Sequence, residues 1–436
     1  MINSVTVELL NHASVIIQSG GTALLCDPWF EGTCFHGRWG LRYRNPTALS
    51  RALSSTHLWI SHFHSDHFHA LTLRQLAEQA PHLFTLANVS VNFDLREPLR
   101  RLGFLNVHPL PERRLLSLAS GYDIVRYPAT GIDNMLVVRT GGLTIVNFND
   151  CNLPLRAIRS IVRKIGPIDV LLTSYNHAGK VFEYLSHQQV KDIFRDRFQA
   201  IVEAIDPRWV IPFASLHYYR SVVSAYQNKS LLTVEELKAA VPRTLPLTVG
   251  DRAVCIPGKK PVIEPLQSVL PCSPLEERRD SVSVQWEQLI TAAKEYHTCL
   301  RRNFPGILRW LLPLVIRVED LNRIFILDPK SGILEQEPTY SLVHLSVHSA
   351  ALFDWLGRPF GASAFWIGAD LRIIAEDATP IHRMMLAGLL MENRLTLRDM
   401  LRMFLRPCDW SFFFHRREEI AAILTGRRFV AGETRL

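Results

Sequence analysis

Three histidines and an aspartate crowd into residues 62–67: His62, His64, Asp66 and His67. Neutral imidazole and carboxylate together suit Zn(II), Fe(II) and Mn(II), and no soft ligand stands beside them. The stretch THLWISH (56–62) reads as a buried strand running into the cluster. HALTLRQLAEQ (69–79) reads as a helix leaving it. On a strand end, side chains two apart point the same way, so His62 and His64 face one centre. The turn into the helix brings Asp66 and His67 round to that centre. The alternative is a solvated His-rich loop. Four potential ligands directly after a buried strand weigh against it, and the segment is read as the fixed half of a metal site.

Elements must hold that half in place. Through about residue 255, short β runs alternate with helical ones. VTVELL, SVIIQ and TALLCDP open the chain, and YDIVRYP, NMLVVRT and LTIVNFND follow the cluster. PLRAIRSIVRKIG (154–166) and HQQVKDIFRDRFQAIVEAI (187–205) read as helices. Two runs of strands with helices interposed fit an α/β, four-layer αββα sandwich better than one parallel sheet. Residues 1–258 are expected to form a metal-binding catalytic domain. Residues 259–284 are expected to be a linker, and 285–436 a small α+β C-terminal domain. FPGILRWLLPLVIRV (304–318) reads as a buried helix. It is too short to span a bilayer and carries Arg309 and Arg317. PIHRMMLAGLLMENRLTLRDMLRMFL (380–405) also reads as helical.

Composition narrows the chemistry. The chain has 436 residues, is 47% hydrophobic and carries a net charge of +8. That balance favours an anionic substrate, nucleic acid or an acidic membrane surface, without choosing among them. The basic residues are scattered, which argues against nucleic-acid binding. Seven cysteines without a CxxC pair argue against a disulfide framework and a Cys-type zinc site. A reducing cytoplasm is the expected location. The first residues lack the basic leader and cleavage site of a signal peptide, and no transmembrane segment is expected. GxSxG, P-loop and GxGxxG motifs are absent.

His62-x-His64-x-Asp66-His67, in this strand-to-loop setting, resembles the signature of the metallo-β-lactamase superfamily. NHASVIIQSGGTALLCDPWF (11–30) resembles the opening hairpins of one branch of it. That branch holds the N-acyl-phosphatidylethanolamine phospholipases and the CMP-N-acetylneuraminate hydroxylases. TIVNFNDCNLP (144–154) and AIDPRWVIPFASLHYY (204–219) resemble segments on the sialate-hydroxylase side. The resemblance spans roughly residues 5–255. It implies that Asp27 supports the metal loop and that Asp150 is a bridging or terminal metal ligand. It also implies a closing histidine, for which His217 is the candidate. His12, between two short strands, is expected to pack under the metal loop.

One departure matters. The superfamily supplies a further histidine between the cluster and the aspartate, and RYPATGIDNMLVV (126–138) contains none. Asp133 or Asn134 could substitute as an oxygen ligand. His177, after another strand, is a further candidate, with a polar loop histidine as the alternative. The metal-ligand candidates are thus His62, His64, Asp66, His67, Asp150, His217, His177 and Asp133, for one or two transition-metal ions. Asp66 and His217 are the candidate catalytic residues.

Two chemistries compete. Zinc can lower the pKa of a water to about 7, for attack on a phosphodiester, amide or lactone. Iron with open positions can bind O₂ and hydroxylate a substrate. Fewer fixed histidines favour the oxygenase over the hydrolase, and iron over zinc. The sialate hydroxylases carry a Rieske cluster, which needs two Cys and two His ligands. This sequence offers only Cys34-Phe35-His36 and no CxxH, so either an external donor supplies electrons, or the substrate is itself the reductant, or the chemistry is not oxygenation. The loop from Phe30 to Arg44 is expected to cover the site, with Arg38, Arg42 and Arg44 as candidate clamps for an anion. The C-terminal domain could shape the pocket, form a homodimer or recruit the donor.

Overall fold

Apolar residues at alternate positions along the first strands fill two different cores. Val5, Val7, Leu9, Val15, Ile17, Leu24 and Trp59 face one, and Ile16, Leu25, Leu58 and Ile60 face the other. A strand buried on both faces needs a layer on each side. A computed structural model of the chain describes residues 4–89, 94–129, 132–180, 185–265, 269–272, 283–303, 307–337, 339–375 and 377–392.

Eight strands form the first sheet, in spatial order Val262–Pro265, Asp251–Cys255, Val5–Asn11, Ser14–Ser19, Thr22–Cys26, His57–Ile60, Phe84–Asn88 and Val107–Leu110. Six form the second: Leu115–Ala119, Tyr122–Pro128, Asn134–Thr140, Leu143–Asn149, Val170–Thr173 and Trp209–Pro212. The inner core lies between the sheets. It continues over the second sheet to Ile158, Phe198 and Ile201 of the helices Leu155–Ile165 and His187–Ile205. The outer face of the first sheet packs on Leu73, Leu76 and Leu99 from the helices Ala70–Gln79 and Arg96–Arg101. The result is the four-layer αββα sandwich. Each fully buried Val, Leu or Ile contributes roughly 1.5–3 kcal/mol of transfer free energy.

Pairing direction places the chemistry. Thr22–Cys26, His57–Ile60, Phe84–Asn88 and Val107–Leu110 run parallel. Leu143–Asn149, Val170–Thr173 and Trp209–Pro212 do so in the other sheet. In open α/β sheets, ligands collect beyond the carboxyl ends of such strands. Asp27, the 61–67 turn and Asp150 all lie at these ends. Two register shifts fall there as well, at Leu9/Asn11 and at Asn147/Asn149. Bulges of this kind re-aim the residues that follow.

A smaller α+β unit follows. Its five-stranded sheet has the order Gly332–Gln336, Arg323–Asp328, Leu314–Val318, Leu345–Val347, Arg372–Ile373. The helices Trp286–Asn303, Ser349–Gly357 and Thr379–Glu392 pack a separate core with it around Leu289, Leu352, Trp355 and Met384.

Two expectations need correction. Of the stretch 304–318, the described part from 307 on is not a buried helix: Ile307–Arg309 is a 3₁₀ turn and Leu314–Val318 a central strand. Pro313 has no N–H for a helix, and the branched run that follows suits a sheet. Val262–Pro265, inside the stretch expected as a linker, is the edge strand of the large sheet. The helical reading of 380–405 meets the helix Thr379–Glu392. Its remainder lies outside the described residues. Among the described residues no helix is long and apolar enough to cross a membrane.

Candidate metal centre

Asp27 is where the two sheets meet at the site. Its backbone is left-handed (φ 43°), as is that of Asn149 (φ 59°). Asp27 Oδ1 accepts the Ser61 N–H at 2.7 Å, which fixes the start of the metal loop. Its Oδ2 accepts from Asn149 Nδ2 at 2.8 Å and pairs with His67 Nδ1 at 3.0 Å. His67 Nδ1 therefore carries a proton, and Nε2 is the nitrogen free to bind an ion. That Nε2 faces Asp66 Oδ2 at 3.3 Å and Asp150 Oδ2 at 3.5 Å.

The 61–67 turn closes on itself. His67 N and Phe68 N donate to the His64 carbonyl at 2.9 and 2.7 Å. Ser61 Oγ lies 2.9 Å from His62 Nδ1, so the Nε2 of that ring also points inward. His62 Nε2 lies 2.9 Å from His64 Nδ1 and 3.9 Å from Asp150 Oδ2.

Potential ligand atoms gather in two groups, each within 4.8 Å: His62, His64 and Asp150, and His12, Asp66 and His67. Asp150 joins them through its contacts to both His62 and His67. The second group is fully buried, whereas His64 and Asp150 reach solvent. Asp66 Oδ1, Asp150 Oδ1 and His67 Nε2 are buried without a protein hydrogen bond, the condition that a bound ion or water relieves.

Electrostatics point the same way. Burial lowers the pKa of His12, His62 and His64, so these rings are held neutral, the form that binds metals. Burial pushes on Asp66 and Asp150 from above, yet His67 and neighbouring histidines hold both carboxyls below the usual range. Burial also opposes charge on His67, but Asp66 and Asp150 raise its pKa well above normal. Asp133 is raised well above the carboxylate range by burial and then by Asp150. Three carboxyl groups thus converge where positive charge is wanted, and the donor set fits a pair of cations.

His12 was not among the residues expected to bind metal, only to pack below it. Its Nε2 lies 3.3 Å from Asp66 Oδ2. The available signal was a polar Asn11-His12 pair interrupting two apolar strands, and only the bulge at Asn11 explains its aim. His217 and His177 join neither group. His217 stacks on Trp39, with centroids 3.7 Å apart, and meets His12 edge-on at 5.5 Å. Both of its ring nitrogens are buried without a hydrogen bond. His177 pairs through Nδ1 with Tyr219 Oη at 3.0 Å, and burial lowers its pKa to about 4. Asn134, the alternative to Asp133, donates to the Ser61 and Ile132 carbonyls and accepts from Arg126, so it braces the loop.

The expected anion clamp at Arg38 is corrected. Arg38 is fully buried against Asp354 and Asp370 and faces no substrate. Cys34 and His36 are engaged as well, with Cys34 Sγ 2.9 Å from the Ser65 carbonyl and His36 Nε2 3.1 Å from that of Pro359.

Residues 6–214 match the family model described as Beta-lactamase superfamily domain. A Mycobacterium tuberculosis protein assigned as a Rieske 2Fe-2S iron-sulfur protein is 28% identical over 227 residues, 48% of this chain and 43% of that one. The cytidine monophosphate-N-acetylneuraminic acid hydroxylase of Danio rerio is 26% identical over 234 residues, 48% of this chain and 38% of the relative. The chain spans less than half the length of these curated relatives. Among solved structures, CmlA, a diiron beta-hydroxylase from Streptomyces venezuelae, is alike with a TM-score of 0.41 and 18% identity, over 58% of this chain and 54% of that one. Igni18, a metallo hydrolase from Ignicoccus hospitalis KIN4/I, is alike with a TM-score of 0.40 and 15% identity, over 58% of this chain and 98% of that one.

Proposed function

We propose that this chain, whose residues 6–214 are a beta-lactamase superfamily domain, is a dinuclear metalloenzyme that oxidises a small anionic molecule. One observation carries the reading: each group of ligand atoms holds two histidines and one carboxylate. That composition, with positions left open, is the set used by non-haem iron oxygenases. The names of the relatives, a hydroxylase and a Rieske protein, support it.

His62, His64 and Asp150 would hold the solvent-facing ion. His12, Asp66 and His67 would hold the buried one. Asp133 joins neither group of ligand atoms, and burial followed by the charge of Asp150 holds its carboxyl in the neutral form. Iron bound there would supply oxygen activation. The chain's own residues do the rest. Asp27 fixes the ring of His67, and Ser61 fixes that of His62. Asp150, 31% exposed on its side chain, marks the face open to substrate. Arg197 donates to Asn152 Oδ1 at 3.2 Å, two residues beyond Asp150, and is the cation we assign to an anionic substrate. Cys34 and His36 are engaged with carbonyls, and the electrons would come from an external donor or from the substrate itself.

Zinc in the same positions, with Asp66 as base, is the second reading, favoured by the superfamily domain itself. Metal content and absorption spectra of protein purified without chelator separate the two. Two irons per chain, with O₂ uptake on adding reductant, are expected. A zinc-filled, iron-free protein that cleaves a generic phosphodiester overturns the oxygenase.

A further inference from the structure

The loop over the metal centre is held from the far side of the molecule. Arg38 Nη1 lies 3.0 Å from Asp354 Oδ2, and Arg38 Nε lies 3.3 Å from Asp370 Oδ2. The guanidinium also donates to the carbonyls of Phe35 and Ala351. Asp354 sits on the helix Ser349–Gly357 of the C-terminal unit, and its other oxygen pairs with Arg358 at 3.0 Å. The arginine stem crosses Gly368 so closely that a Cβ there would lie 2.1 Å from Arg38 Cδ.

Asp370 also accepts from Ser221 Oγ. Arg38 precedes the short strand Trp39–Leu41, and Ser221 follows the strand His217–Tyr219. These two strands pair, with Leu41 opposite His217 and Trp39 opposite Tyr219. One carboxylate of the C-terminal unit therefore holds both strands of the pair that carries Trp39 and His217, at the end where Trp39 faces Tyr219. Trp39, Tyr219, Cys34 and Phe35 share a single apolar cluster with Ala364 and Ala369.

Adhesion alone does not require charge here. Taking ions out of water is unfavourable, and well-packed apolar residues hold two units together at least as well. What a buried ionic group supplies best is register. A planar fork met by two carboxylates fixes where the Arg38 backbone lies, and Trp39 is the next residue.

We propose that Arg38 is a positioning residue. Through Asp354 and Asp370 the C-terminal unit sets Trp39 against His217 and so closes the buried half of the metal centre. The link to metal rests on the dinuclear reading above, whereas the placing of Trp39 does not.

The test uses the full chain and a triple variant, Arg38→Met with Asp354→Asn and Asp370→Asn, which leaves no carboxylate stranded. Two readings are taken. One is the near-ultraviolet circular dichroism band of Trp39, assigned with Trp39→Phe. The other is a Co(II) titration followed by visible absorption. The triple variant is expected to stay folded, to lose the Trp39 band and to bind its second Co(II) at least tenfold more weakly. A folded triple variant with the Trp39 band intact overturns the proposal. Should it fail to fold, Arg38→Lys, which keeps the charge but not the fork, decides by the same band. If the wild type binds no Co(II), the metal reading fails and the band still decides the placing of Trp39.

Discussion

Asp27 and His67 lie 3.0 Å apart, carboxylate to Nδ1, at the point where the two sheets of the sandwich meet. This contact orients the ring whose other nitrogen faces Asp66 and Asp150. Asp27→Asn removes the charge and allows the opposite tautomer. Metal affinity is expected to fall about 10–100-fold, the usual effect of losing a ligand's orienting partner. Equilibrium dialysis against a chelator measures it. An unchanged affinity would show that His67 does not bind through Nε2.

The two groups of ligands make separable claims about stoichiometry. His64→Ala should leave one ion per chain, held by His12, Asp66 and His67. His12→Ala should leave one, held by His62, His64 and Asp150. Asp150→Ala, which touches both groups, should leave less than one. Elemental analysis of each purified variant reads the numbers. Two ions retained in His12→Ala would return His12 to a packing role.

Stability should depend on pH through buried neutral histidines remote from substrate. His69 caps the helix Ala70–Gln79, with Nδ1 accepting from Thr72 N. Burial lowers its pKa to about 4, and that of His177 likewise. Between pH 6.5 and 4 the unfolded chain therefore binds protons that the folded chain refuses. Stability then rises with pH in that window and is lost as pH falls through it. Each histidine contributes on the order of 2–3 kcal/mol to this slope. Urea denaturation across the window should show a shallower slope in His69→Asn, which caps the helix without titrating. An unchanged slope would clear His69 of the effect.

Gly40 faces the ring of Tyr218 with no room for a methyl group. A Cβ there would lie 2.6 Å from Tyr218 Cζ and Oη. Gly40→Ala must displace Tyr218, the neighbour of His217, or push the two paired strands apart. A loss of about 1–3 kcal/mol is expected from such overpacking. Thermal denaturation checks it, and a melting temperature equal to wild type would mean the strand pair is pliant.

The metal loop was legible because its residues are local. Four candidate ligands, three histidines and an aspartate, follow one strand, and strand geometry alone aims His62 and His64. The helix 187–205 was legible to the residue, since a Ser-x-x-Gln capping box starts it and its apolar period runs unbroken. His12 was not, because its role depends on a bulge and on a carboxylate 54 positions away. Arg38 was misread for a related reason. A basic residue in a loop near a site suggests an anion, and nothing nearby in sequence announces Asp354 or Asp370. The 304–318 stretch failed differently, since a short apolar run does not distinguish strand from helix by period.

The two ligand groups differ in one respect that reaches beyond ligand identity. His12, Asp66 and His67 are buried, while His64 and Asp150 reach solvent. An ion in the outer position can leave through the open face. An ion in the inner one would be shut in by the burial of all three of its ligands, with the Trp39 ring centroid 6.3 Å from that of His12. The pair would then exchange on two clocks, with a fast outer ion that samples the metals around it and a slow inner ion set once when the chain folds.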